Sequence, residues 1–500
     1  MNSTKGLLYF LLLIFHAIPI LITSLPTFDG PAHLHNSRLL LELISGNELI
    51  DSFFAINTES YTNWTDHAIL SILMLIFPAW ITEKVLLLLI AIMLPVSIVQ
   101  SVTKEQRTKS LFLSTLSLPF VYNFLFGMGF WNFHIGLILA VLIFNYGYNK
   151  KFQLQTYVET IFLLLLILLL YFTHAFVFVF FVIAYTLGFI THVLLKYKKS
   201  TNINWQLKQI IRTLIVFVVP VLILFYDFLL GKESHSGTEQ IAMVDSLKML
   251  ISGKYLVYLN QSTELKIIPW YLIILGLFII GVAIHRISTY HVNKTYLYSH
   301  DIFLLVSLIT FMVFLIVPDR IGGIAGYLKY RLVLPFYLFL IIWICNHSLP
   351  KSFFIPSLTI YLLLHFWSIN YYVHRIKSNY EEEIKSIKNI AQIIHENSVV
   401  LPVYNNAGWL RNHFSNYLGT DKPMVILENY EASSGSFPLT WNDEMPQLYL
   451  GSKPLRKGCR FGVEAKNPRG IHVIDYIFIY SYKHEKNSDC LEEYKDIIQE

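Results

Sequence analysis

The sequence predicts a polytopic α-helical membrane protein with a small C-terminal α/β domain outside the cytoplasm, and three observations lead there. Of its 500 residues, 55% are hydrophobic and only 14% are charged, against about 25% charged in soluble domains. The hydrophobic residues gather into runs of about 16 to 22, close to the roughly 20 residues with which a helix crosses a bilayer core. From 376 to 500 the pattern stops, and Pro, Asn, Glu and Lys interleave with short apolar stretches as in a domain that folds in water.

The apolar runs predict eleven crossings, near 6–25, 82–102, 109–126, 129–148, 155–171, 174–195, 209–229, 268–286, 301–317, 332–346 and 353–373. The transmembrane domain is then 1–375, with a first outer loop at 26–81, and the second domain is 376–500. The first run has Lys5 in front of it and exceeds the 7 to 15 residues of a signal-peptide core. It is read as an uncleaved helix.

Net charge is +5, and Lys and Arg lie in short clusters between apolar runs, not in an arginine-rich stripe with aromatic partners. That distribution excludes nucleic acid as a partner and leaves the lipid bilayer. Basic loops mark the cytoplasmic side. With the amino terminus inside, Lys104, Arg107 and Lys109, then Lys150 and Lys151, then Lys196, Lys198 and Lys199, then Arg286 and Lys294, and finally Lys351 all fall inside.

This topology requires 68–80, about 13 apolar residues, to lie at the interface without crossing. It puts 26–66, 231–267, 318–331 and the tail on the outer face. Within the tail, a helix at 381–396, a strand at 399–403, a helix at 409–417, a strand at 424–427 and a β-rich 471–482 predict an α/β layer. Cys345 sits in a span; Cys459 and Cys490 are either a disulfide or two free thiols.

The residues with chemical potential begin in the first loop, Pro26-Thr27-Phe28-Asp29-Gly30-Pro31-Ala32-His33-Leu34-His35-Asn36. Asp29 directly follows a span, and Gly and two prolines restrict its turn. It is either a general base or metal ligand, or the cap of the helix starting near Pro31. His33 and His35 are two apart on that helix and cannot share a face, which argues against a clamp made by the pair. Asp66 and His67, in Asn63-Trp64-Thr65-Asp66-His67, add a carboxylate and an imidazole at the start of the short helix, or simply anchor it at the interface.

Within the spans, Asn123, Asn132, His134 and His174 are polar groups that are costly in lipid unless they face a cavity or another helix. The segment from Asp319 to Arg331 concentrates Arg320, Lys329 and Arg331 on the outer side, where basic residues should be scarce. An anionic ligand or lipid headgroups would account for it. No nucleotide-binding glycine loop, HExxH or paired CxxC occurs, so no residue is assigned to a dedicated metal site.

Together the Asp-Gly-Pro-x-His setting of Asp29, the Asn63-Trp64-Thr65-Asp66-His67 helix start, the many spans, the late basic loop and the tail resemble the GT-C superfamily of membrane glycosyltransferases. The Gly127-Met128-Gly129-Phe130-Trp131-Asn132-Phe133-His134-Ile135-Gly136 stretch and Thr173-His174 resemble segments of uncharacterised bacterial members, as does Met424-Val425-Ile426-Leu427-Glu428-Asn429-Tyr430-Glu431-Ala432 in the tail.

The resemblance implies transfer of a sugar from a polyprenyl-phosphate carrier to a glycan, lipid or protein acceptor on the outer face of a bacterial inner membrane, as part of cell-envelope chemistry. Asp29 takes the role of base or metal ligand. His33, Asp66, His67, Asn132, His174, Arg320, Lys329 and Arg331 become substrate-binding candidates, the last three for the carrier's phosphate. Gly30 stands where members often carry a second acidic residue, which favours direct base catalysis and leaves a divalent cation as an option. The rival readings are a transporter or flippase for a lipid-linked or anionic substrate, and a non-catalytic envelope scaffold. A transporter predicts internal repeats, and none is evident.

Overall fold

The computed structural model describes residues 3–59, 61–102, 107–197, 203–230, 238–293, 298–321, 326–404, 408–442, 448–451, 462–465 and 474–480. Cys459 and Cys490 lie outside them. The chain forms two compact units, Met1–Leu21 with Leu88–Val373 and Ile22–Leu87 with His374–Glu500. This division departs from a boundary at 375/376, because the expected first outer loop belongs with the tail.

Among the described residues, seven helices are long and apolar enough to cross a membrane: Ala79–Gln100, Trp131–Asn149, Ala175–Leu194, Lys208–Tyr226, Gln261–Thr289, Leu328–Cys345 and Lys351–Ile393. Each matches an expected run. The windows at Leu328–Cys345 and Trp131–Asn149 are 83% and 78% buried, whereas that at Lys208–Tyr226 is 33% buried; the first two are central and the last peripheral. On the peripheral helix Leu214, Val218, Leu222 and Phe225 are exposed at helical spacing. A contiguous apolar stripe of this kind is a liability in water and costs nothing in lipid.

The other four expected runs are shorter or broken. Tyr157–Thr173 has 17 residues and Asp301–Ile316 has 16. The run at 6–25 divides into Ser3–His16 and Ile18–Ile22. The run at 109–126 becomes Arg107–Leu113, a 3-10 turn Ser114–Phe120 containing Pro119, and Phe124–Gly127, which Asn123 caps. The hydroxyls of Ser114 and Ser117 bond carbonyls three residues back, and the proline withholds a donor. Prolines 95, 220, 335 and 356 lie inside long helices, where neighbouring groups in a membrane bundle can satisfy the freed carbonyls.

In the second unit, β2 (Ser398–Tyr404) lies between β3 (Met424–Ile426) and β7 (Tyr476–Tyr480), both parallel to it. From the first loop, β1 (Phe54–Ile56) pairs antiparallel with β4 (Leu439–Trp441), Ala55 opposite Thr440. A separate hairpin joins β5 (Leu448–Gly451) and β6 (Gly462–Ala465). Leu39, Ile50, Phe53 and Phe54 of the loop share one core with Val399, Leu401, Val425, Leu427 and Leu439 of the tail. Phe54→Ala should therefore lower the stability of this unit by about 3–5 kcal/mol, read as a lower unfolding temperature of the purified protein in detergent.

Candidate functional site

The Gly30–Ser45 helix places His33 and Asn36 one turn apart, so both reach the same partner, while His35 points elsewhere. His35 Nδ1 meets Asn416 Oδ1 at 3.0 Å and Nε2 meets the Met424 carbonyl at 2.9 Å. A Cβ at Gly419 would come within 2.6 Å of that ring, so this close approach requires glycine.

His33 Nδ1 lies 2.9 Å from Glu431 Oε1 and 3.7 Å from Asp66 Oδ2. His67 bridges the same two carboxylates, Nε2 to Glu431 Oε2 at 2.9 Å and Nδ1 to Asp66 Oδ1 at 2.7 Å. Asn36 Nδ2 donates to Glu431 Oε2 at 2.6 Å. All four ionisable groups are buried.

Burial penalises every charge here, yet each partner outweighs the penalty. Glu431 and Asp66 raise His33, and they push His67 up to about 10. The two histidines hold Asp66 and Glu431 below the ordinary carboxylate range. One ligand atom from each of His33, His67 and Glu431 falls within 4.8 Å of the others. The sequence shows no metal-binding motif, and this cluster, which could hold a metal ion, is one that linear spacing does not display.

Asp29 borders a second group. It occupies the N-cap position of the Gly30–Ser45 helix but makes no capping bond, which removes the helix-cap alternative. Its carboxylate is buried, and Oδ1 accepts no hydrogen bond. His413 Nε2 stands 3.8 Å from it, and His413 Nδ1 is held by Glu428 Oε1 at 2.6 Å. Ser415 and Asn416 donate to the other oxygen of Glu428. Burial lifts Asp29 to about 6, against the opposing charges of His413 and His33 and with Glu431 adding to the lift.

The remaining candidates lie in the helical unit. Lys329 Nζ donates to Ser246 Oγ at 2.7 Å, and Arg320 pairs with Glu239 at 3.7 Å. Both cations thus have partners within the protein. Arg331 lies over the rings of Phe130 and Phe176, and its Nε is buried without a hydrogen bond. His174 joins two helices in an extended conformation, with a buried Nδ1 that likewise lacks a hydrogen bond. Gly136, whose Cβ would stand 3.4 Å from that of His174, lets the Trp131–Asn149 helix approach it. Asn132 is buried in the first turn of that helix, and His134 bonds Asn123 at 3.1 Å.

His300, Asp301 and His347 form another possible ligand group. There Asp301 is already bonded by Arg286, the Tyr298 amide and Trp343, so the cluster is explained by its own contacts.

Glu428, Glu431, His413 and Tyr430 were not singled out individually from sequence. The available signal was two carboxylates directly after a wholly apolar strand, a place where a charge must find a partner. No family model, curated protein or solved structure matches the chain.

Glu428→Gln removes the closer of the two carboxylates that face His413, and loss of a buried pair costs about 3–5 kcal/mol. His413 is raised above its ordinary value of 6.5 because Glu428 and Asp29 outweigh its burial. Its contribution is therefore complete below pH 6.5 and lost as pH rises through the elevated value. Denaturation of both proteins across pH should show the largest loss of stability at the acid end.

Proposed function

We propose that this protein transfers a sugar from a polyprenyl-phosphate-linked donor to an acceptor hydroxyl on the outer face of the membrane, with Asp29 as general base. The observation that carries the reading is a buried carboxylate with an oxygen free to accept a proton, in the Asp-Gly-Pro-x-His setting that resembles GT-C enzymes. A base is most effective when its pKa lies near the working pH, and Asp29 is lifted to about 6.

In the reaction, the acceptor oxygen bonds the anomeric carbon while its proton passes to an Asp29 oxygen. The bond from that carbon to the phosphate oxygen breaks, and its electron pair leaves with the polyprenyl phosphate. By the same resemblance the carrier's phosphate is a ligand for the basic residues of the helical unit, of which Arg331 has a planar guanidinium that matches phosphate geometry and an Nε without a hydrogen bond. His33, Asp66 and His67 serve by fixing the shape of the first loop. The seven helices among the described residues that are long and apolar enough to cross a membrane suit a donor delivered in lipid.

Membranes containing wild type or Asp29→Asn at equal expression, supplied with polyprenyl-phosphate hexoses and pentoses, provide the test. The variant should transfer about 10² to 10⁴ times more slowly, and wild-type activity should fall as pH drops through about 6. Equal rates would return Asp29 to a structural role. Unchanged transport with no transfer by either protein would favour the flippase.

A further inference from the structure

We propose that His33, His67 and Glu431 bind a zinc-class divalent cation that pins the first loop to the tail. This inference does not rest on the transfer reading. Two imidazole nitrogens and a carboxylate form a donor set that suits Zn²⁺ and disfavours Mg²⁺ or Ca²⁺, which prefer oxygen ligands.

The surrounding contacts are those of a metal site. His67 Nδ1 bonds Asp66 Oδ1 at 2.7 Å, which fixes the ring and leaves Nε2 to face Glu431 Oε2 at 2.9 Å. Metal-binding histidines are regularly oriented by a carboxylate in this way. Asn36 holds the same Glu431 oxygen at 2.6 Å. The other oxygen, Oε1, is buried and has His33 Nδ1 2.9 Å away.

Charge and spacing agree. Two buried carboxylates, Asp66 and Glu431, require two positive charges, and a divalent cation bound by neutral imidazoles supplies the same two charges as the protons that His33 and His67 hold in its absence. Zinc ligands at 2.0–2.1 Å in a tetrahedron lie about 3.3 Å apart. His33 and His67 each stand 2.9 Å from a different oxygen of Glu431, and one ligand atom from each of the three residues lies within 4.8 Å of the others, so small side-chain rotations bring the three to that spacing. One position remains for water or for Asp66 Oδ2.

The test uses the full chain purified in detergent. Metal analysis should find about one zinc per chain. After chelation and dialysis, Zn²⁺ at about 100 times its dissociation constant should raise the unfolding temperature by about 5 °C, and Mg²⁺ should not. His67→Ala and Glu431→Gln should abolish both effects. If either fails to fold, Asp66→Asn provides the decision: it preserves shape and should weaken zinc affinity about 10- to 100-fold with unchanged circular dichroism. Co²⁺ in place of zinc should give the visible absorption of a tetrahedral nitrogen- and oxygen-ligated site. Zinc-free wild type whose melting ignores Zn²⁺ and Co²⁺, or zinc retained equally by folded His67→Ala, overturns the proposal. Zinc binding without sugar transfer would leave it standing and remove only the transfer reading.

Discussion

The second unit depends on two carboxylates taken out of water. Asp66 and Glu431 are fully buried, come from segments more than 300 residues apart, and are each met by His33 and His67. A buried charge is tolerated only when it is paired and hydrogen-bonded. The first loop supplies both imidazoles for its own Asp66, but Glu431 of the tail finds its two histidine partners only in the loop, so the tail's charge network closes only when the two fold together. The shared apolar core and the pairing of β1 with β4 enforce the same coupling through packing and backbone hydrogen bonds.

Against this closed network, Asp29 is an exception. Glu428 has Ser415, Asn416 and His413 around its oxygens, whereas Asp29 Oδ1 accepts no well-aligned hydrogen bond and has the Tyr430 hydroxyl beside its carboxylate. Natural proteins satisfy nearly all buried polar groups, so an unsatisfied carboxylate needs an account. A capping role does not supply one. The proton-transfer role proposed for it would.

The helical unit solves a different problem, keeping polar groups out of lipid. Ser110 donates to the Cys345 carbonyl, Tyr361 to that of Leu116, and His134 bonds the loop residue Asn123. Arg331 lies over the rings of Phe130 and Phe176, and its Nε is buried without a hydrogen bond. A guanidinium kept this way retains its capacity to pair with an arriving anion.

The seven long helices were legible in the sequence because bilayer thickness sets the length of an apolar run and composition alone reveals it. Tail elements at 398–404 and 424–426 were legible from their apolar, β-branched residues. Asp29, His33, Asp66 and His67 could be selected as chemically notable, since charges and imidazoles beside spans are conspicuous. What they do there was decided by tertiary structure. Whether Asp29 caps its helix depends on a carboxylate orientation that local sequence leaves open. The partnership of His33 and His67 with Glu431 depends on chain segments separated by several hundred residues, and no local periodicity encodes which of many distant carboxylates will close a buried charge network.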